Sequence, residues 1–228
     1  MKEIIIEEIP VKGNIDKLIK TLHINQSEDE KRLAILLKEA EKIAKPKGIY
    51  QESYIQEIKG NQVRIDDIIF ESSLLEVNLE GVYLVFPFII TAGQELGKWA
   101  QNIDGLLEQF WANKIQEVFL QEAVTYIFED MQKKYQIEKM ATMNPGSLEE
   151  WPISEQKKLF DLIENPDQKI GVELSDSYLM LPSKSLSGIR FPTDLDYVNC
   201  KLCSRVRCPD RRAAYDKELH HEKYSAKK

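Results

Sequence analysis

Histidine and cysteine are scarce in this chain: three of each in 228 residues. His23 stands alone, while His220 and His221 lie close to the C-terminus. A Ser-His-Asp or Cys-His catalytic centre therefore has little to draw on. No Gly-x-Gly-x-x-Gly, no P-loop and no His-Glu-x-x-His occurs, so the usual dinucleotide, nucleotide and zinc-protease signatures are absent. Long hydrophobic runs are missing too. The longest, "VYLVFPFII" at 82–90, is far short of a membrane span and contains a proline. The opening "MKEIIIEEIP" is acidic with a three-residue apolar run and carries no targeting pattern. A cytoplasmic location without membrane contact is expected. There, cysteines serve metals or redox chemistry more often than disulfides.

What is present is an ordinary globular composition, 43% hydrophobic and 30% charged, in a chain long enough to bury a sizeable core. The net charge of −7 is unevenly placed. Residues 201–228 hold nine lysines and arginines against four acids, about +5, which leaves about −12 for residues 1–200. An acidic body argues against nucleic acid as a ligand. The basic end is either an anion-binding tail or a solvated terminus.

Periodicity predicts the elements. Residues 2–9 read as a short strand or a helix start. "SEDEKRLAILLKEAEKIAK" at 27–45 predicts a helix: Ser27 and Glu30 form a capping box, Leu33, Leu36, Leu37, Ala40, Ile43 and Ala44 make one stripe, and Pro46 and Gly48 end it. Residues 50–90 give β-rich runs, "LLEVNL" among them, separated by "KGN" and "EG". They predict an antiparallel meander whose last strand, apolar on both faces, is central. Residues 104–135 read as one long or two consecutive helices with a stripe from Leu107, Phe110 and Trp111 through Tyr126 to Met131. Ser154 is expected to cap a short helix ending at Asn165-Pro166, and "SKSLSGIRFPTD" to form a small-residue loop. The expected class is α+β, a twisted antiparallel sheet with helices packed on one side, in a domain over 1–195 followed by a Cys-containing basic tail over 196–228.

Two loops carry more information. "NPGSLEEWP" sets Pro145, Gly146, Ser147 and Trp151 just before a helix, where backbone N–H groups can receive an anion. "LPSKSLSGI" offers Ser183, Ser185 and Ser187 with Gly188, where backbone can approach a ligand closely. Either loop could equally be an ordinary tight turn.

The pairing of "PGSLEEWPISEQKKLFDLI" with "IGVELSDSYLMLPSKSLSGI" resembles the reactivation domain of cobalamin-dependent methionine synthase, most closely its stand-alone versions. The likeness is strongest over 143–190 and extends more weakly back through "FPFIITAGQELG" to "DKLIKTLHI", about three quarters of the chain. It implies a protein that binds S-adenosylmethionine and holds its methyl group over the corrinoid of a partner methyltransferase. A flavodoxin- or ferredoxin-type donor would supply one electron, and methylation would trap the reduced corrinoid. Pro145, Gly146, Ser185, Ser187 and Gly188 match the family's motifs, and Glu122 falls where the family has a helix glutamate near the ligand. Where the family reads Arg-x-x-Pro-Gly-Tyr, this chain has Thr142 and Ser147 at the arginine and tyrosine positions. The alternative is a non-catalytic module on the same fold that binds a corrinoid protein or a metal without S-adenosylmethionine.

All three cysteines, Cys200, Cys203 and Cys208, lie in "NCKLCSRVRC" with C-x2-C-x4-C spacing. Two thiolates so spaced can chelate one ion or one cluster edge, and the third is within reach. Lys201, Arg205, Arg207, Arg211 and Arg212 favour thiolate over thiol. An iron–sulfur cluster, zinc with His220 or His221, a redox-active thiol set and an inert terminal turn are the readings this spacing allows.

Overall fold

In the computed structural model the described residues are 2–194, 197–208 and 211–224. The boundary expected at 195–196 lies outside them. The chain runs β1 (Glu3–Ile6), α1 (Ile15–Thr21), α2 (Ser27–Ile43), β2 (Lys47–Gln51), β3 (Ser53–Lys59), β4 (Gln62–Ile65), β5 (Ile68–Glu71), α3 (Ser73–Asn78) and β6 (Leu84–Thr91). It continues through α4 (Gln94–Gln101), α5 (Leu106–Tyr135), β7 (Met140–Met143), a 3-10 turn (Ile153–Glu155), α6 (Gln156–Ile163) and α7 (Pro166–Ile170). The ribbon of β8 (Glu173–Leu174) and β9 (Met180–Leu181), then β10 (Ser185–Pro192), α8 (Asn199–Leu202) and α9 (Lys217–Tyr224), complete it.

Every strand pairing is antiparallel. β6 is central, as its two apolar faces predict. One edge pairs with β2 and then β3 in a single register, Lys47 opposite Thr91 and Ser53 opposite Val85. β2 and β3 thus behave as one strand interrupted at Glu52. The other edge pairs with β10, which carries β7 beyond it. The expected meander is realised only in the β3–β4–β5 hairpins. β6 returns between β10 and the β2–β3 strand.

The class is α+β with an antiparallel sheet. Its long helices lie on one side, where Phe86, Phe88 and Ile90 of β6 meet Ala123, Val124, Ile127 and Met131 of α5. α5 in turn carries α1, α2 and α4 through Trp111, Ile115 and Phe119. The opposite face, Val85 and Ile89 with Ile189 and Phe191, is covered by Leu159, Leu162 and Ile163 of α6 and by Trp151. Burying each such side chain stabilises the fold by roughly 1.5–3 kcal/mol.

Five expectations are corrected here. "LLEVNL" is α3 rather than a strand: the Ser72 hydroxyl accepts the Leu75 N–H at 3.1 Å and caps a helix whose Leu74 and Leu75 are buried. The helix over 27–43 begins at Ser27 itself with Gln26 at the cap position, so Ser27 does not close a capping box. Ser154 lies inside the 3-10 turn, with Pro152 at its cap position. "SKSLSGIRF" is no loop, because most of it forms β10, an interior strand. α5 is one helix of 30 residues, and Leu107, Phe110 and Tyr126 of its expected stripe face outward.

Two phenols are tied to acids across this core. Tyr50, fully buried, donates to Asp130 at 2.6 Å, and Tyr135 donates to Glu52 at 2.7 Å. Burial first, and the neighbouring carboxylates after it, push both phenols far above their ordinary range. A phenol whose folded pKa is raised holds its full stabilisation below its unfolded pKa, about 10, and loses it as pH rises further. Stability is expected to fall above pH 10 by about 1.4 kcal/mol per pH unit for each phenol that must stay protonated. Urea titrations at pH 9 to 11 check this, and Tyr50→Phe should flatten the decline.

Candidate functional site

β7 pairs with β10 only from Ile189 onward, so the edge of β10 at Ser185–Gly188 is left to side chains and loops. A cavity of about 330 Å³ opens at this edge, walled by Asn144, Pro145, Ser147, Gln156, Tyr178 and Ser187. Ser183 and the apolar residues Leu179–Leu181, Ile153 and Leu186 complete its rim. The 144–151 segment is held as a tight turn: Gly146 N–H donates to the Trp151 carbonyl at 2.7 Å, and Gly146 has φ +75°, a left-handed conformation that glycine accepts without strain. Asn144 Nδ2 donates to the Ser187 carbonyl at 2.7 Å, tying this turn to β10. The Ser187 hydroxyl donates to Gln156 Oε1 at 3.2 Å, and Gln156 Nε2 donates to the Tyr178 carbonyl at 3.2 Å.

Pro145, Ser147 and Ser187 therefore meet around one cavity. Gly146 shapes the turn beside it. Ser185 sits one step along the strand and donates to Thr91 Oγ1 at 2.9 Å and to the Pro182 carbonyl at 2.8 Å. Gly188 is packed between β7 and Phe88: a Cβ there would collide with the Met143 carbonyl and lie 2.7 Å from Asn144 Nδ2. Its lack of a side chain is what lets Asn144 lie against the strand.

Glu122 lies elsewhere. It lines a groove of about 690 Å³ between α1 and α5, with Lys17, Lys114, Glu117 and Gln121. Its Oε2 accepts the Lys12 N–H at 2.8 Å, which fastens the segment entering α1. Burial holds its carboxyl above the usual carboxylate range, partly offset by that N–H. For Glu117 burial works in the same direction, but hydrogen bonds from Lys114 and Lys184, at 3.0 and 3.1 Å, outweigh it and hold the carboxyl below that range. Leu186 lines both the groove and the cavity, so the two adjoin there.

Sequence reasoning passed over Arg190. It stands on β10 opposite Thr142, 7% exposed, and its Nη1 donates to the Thr142 hydroxyl at 3.1 Å. The guanidinium lies 4.0 Å from the centroid of the Phe128 ring. Its Nε is buried without a hydrogen-bond partner, and among the described residues no carboxylate pairs with it. Burial alone draws it down to about 10, so it is cationic at neutral pH. The only sequence signal was an arginine between Ile189 and Phe191, two residues of a buried strand face.

The cysteine segment is organised around a guanidinium. Arg211 Nη1 donates to the carbonyls of Cys200, Cys203 and Ala213 at 3.2, 3.4 and 3.4 Å, and its Nη2 reaches Arg205 O. Cys200 Sγ accepts the Arg212 N–H at 3.4 Å, the main cause of its lowered thiol pKa. Cys203 packs against the core that buries Leu202. His220 Nε2 lies 2.8 Å from Glu150 Oε1, joining α9 to the 148–151 turn. Among the described residues no three His, Cys, Asp or Glu side chains converge as a metal site. Cys200, Cys203 and Cys208 are thus not gathered into one such group in the described arrangement. No helix among the described residues is long and apolar enough to cross a membrane.

Neither a protein-family model nor a curated protein matches the chain. Its fold does match a solved one. The crystal structure of the MetH reactivation domain bound to AdoHcy superposes with a TM-score of 0.57, covering 87% of this chain and 81% of that one at 14% identity. The chain has the fold of that domain, as the resemblance of its two loops implied.

Proposed function

We propose that this chain is an accessory protein of a corrinoid-dependent methyltransferase, binding an S-adenosyl ligand during reductive reactivation of the partner's corrinoid. The observation that carries the reading is the fold match over most of both chains to a reactivation domain that binds AdoHcy. The cavity lined by Pro145, Ser147 and Ser187 supports it, because residues of both resembling loops meet there. Ligand, partner and electron donor supply the chemistry: one electron from a flavodoxin- or ferredoxin-type donor, and a methyl group passing from the sulfonium to the reduced corrinoid.

The chain's own part is placement. Backbone and hydroxyl groups around the cavity offer hydrogen bonds to a polar ligand, and the apolar rim of Ile153, Leu179 and Leu181, each more than 40% exposed, can exclude water once covered. Residues 1–195 would form the binding domain and 196–228 an appended element. A second reading, a non-catalytic module that docks on a corrinoid protein, is favoured by one observation: Thr142 and Ser147 stand where the resembling family has arginine and tyrosine.

The test uses a cobalamin-dependent methionine synthase lacking its own reactivation domain and loaded with cob(II)alamin. With a chemical reductant and S-adenosylmethionine, adding this chain should speed the appearance of the methylcobalamin spectrum. An unchanged rate would contradict the reactivation role.

A further inference from the structure

Cys200 and Cys203 share one backbone turn. Cys200 lies within α8, and Cys203 stands at the cap position that ends it. The Cys203 N–H donates to the Cys200 carbonyl at 3.4 Å and closes the turn between them. A turn so closed brings its end Cα atoms within about 7 Å, and a disulfide bridges Cα atoms about 4.4–6.8 Å apart. A side chain from further along the chain holds the same turn. Arg211 Nη1 donates to the carbonyls of both cysteines, at 3.2 and 3.4 Å, so one guanidinium fixes both ends of the pair. Cys208 follows only after residues 204–207, all of them exposed.

The two sulfurs of the pair have different surroundings. Cys200 Sγ accepts the Arg212 N–H at 3.4 Å. That N–H, supported by a second from Ala213 and by the Arg212 charge, outweighs burial and holds the thiol below its ordinary range. A sulfur so placed carries more of the thiolate, the form that attacks a disulfide. Cys203 packs instead against the core cluster that contains Leu202. Both cysteines are free and partly exposed, so a small solute can reach the turn.

We propose that Cys200 and Cys203 form a thiol–disulfide exchange site for small-molecule disulfides, with Cys200 as the attacking sulfur and Cys203 as the resolving one. The Cys200 sulfur attacks one sulfur of the small disulfide and expels the other as a thiolate. The Cys203 sulfur then attacks Cys200 Sγ and expels the second thiolate. The S–S bond of the small molecule is lost and one between the cysteines is gained. The two cysteine protons end on the two released thiols, and two electrons pass from the cysteine pair to the small molecule. The site is independent of the S-adenosyl ligand and the corrinoid partner.

The experiment equilibrates the full chain in buffers of stepped glutathione to glutathione disulfide ratio, quenches with acid, alkylates and maps the cysteines by mass spectrometry. Oxidised wild type should lose two hydrogens, carry no glutathione, and give a Cys200–Cys203 linkage with Cys208 alkylated. Cys203→Ser, which lacks the resolving sulfur, should accumulate glutathione on Cys200. In the reduced native chain Cys200 should alkylate about 3- to 10-fold faster than Cys208, and urea should erase the difference, because the advantage comes from the folded turn. Wild type that stays reduced in glutathione disulfide alone, while melting cooperatively, overturns the proposal. So does a glutathione adduct on wild type that never passes to a disulfide, or a disulfide that includes Cys208. Equal native alkylation rates for Cys200 and Cys208 would remove Cys200 as the attacking sulfur. The wild-type measurements decide the matter even if the serine variant does not fold.

Discussion

Replacing Trp151 by alanine is expected to destabilise the protein by about 3–5 kcal/mol, the range for a large aromatic removed from a core. Trp151 is fully buried and meets Phe70 edge-to-face, with ring centroids 6.2 Å apart. It stands in the core cluster beneath the sheet with Leu148, Leu159 and Ile163, so the vacated space would open between the 144–151 turn and α6. Its carbonyl also takes the Gly146 N–H, so loss of the ring would loosen the turn that walls the cavity. Trp151→Phe should cost much less. The phenyl ring keeps most of the contact area, and the change removes an indole Nε1 that is buried without a partner. Urea unfolding of the three proteins at one pH checks the order. A Trp151→Ala midpoint close to wild type would show that the turn is not anchored by this ring.

The second large effect concerns Gly188. Its φ is ordinary, so the requirement is for space rather than backbone freedom. An alanine methyl would run into the Met143 carbonyl and would stand 2.7 Å from Asn144 Nδ2 and 3.1 Å from Phe88 Cζ. A carbonyl inside a paired strand cannot swing aside as a flexible side chain can, so β7 and β10 must separate or Asn144 must leave. Gly188→Ala should lose about 1–3 kcal/mol, the usual cost of overpacking. It should also break the Asn144–Ser187 hydrogen bond and so alter the cavity. By contrast, a Cβ at Gly97 meets only Pro182 Cβ, at 3.8 Å. Gly97→Ala, inside α4, should leave stability unchanged or slightly raised, since alanine is the better helix former. Thermal melts of both variants, with ligand affinity measured alongside, separate the two cases.

The same particulars show what the sequence could reveal. α2 was legible because Leu33, Leu36, Leu37 and Ala40 repeat at helical spacing and are indeed buried. β6 was legible because a strand apolar on both faces must be interior. β10 was not: serine and glycine at Ser185, Ser187 and Gly188 are the residues of loops, yet here they belong to a strand paired with β6, and Gly188 lacks a side chain because a Cβ would meet the Met143 carbonyl and Asn144. α3 was hidden by its length of six residues, too short for periodicity to separate helix from strand. At the site, the two resembling loops drew attention to residues that the fold gathers at one cavity. The position of Glu122 in the other groove depends on how α1 and α5 pack, which no local pattern encodes. The cysteine spacing allowed several ligand sets, and what organises that segment, the Arg211 fork on four carbonyls, leaves no signature beyond one arginine among several. Arg190 was missed for a similar reason, since burial of a charged residue is a property of the assembled sheet.

The most direct test of the central claim is titration of S-adenosylhomocysteine into the unmodified chain by calorimetry. The account predicts saturable one-to-one heat with a dissociation constant below a millimolar, weakened by Gly188→Ala. No heat at millimolar ligand, from protein shown to be folded by its cooperative melt, would contradict it.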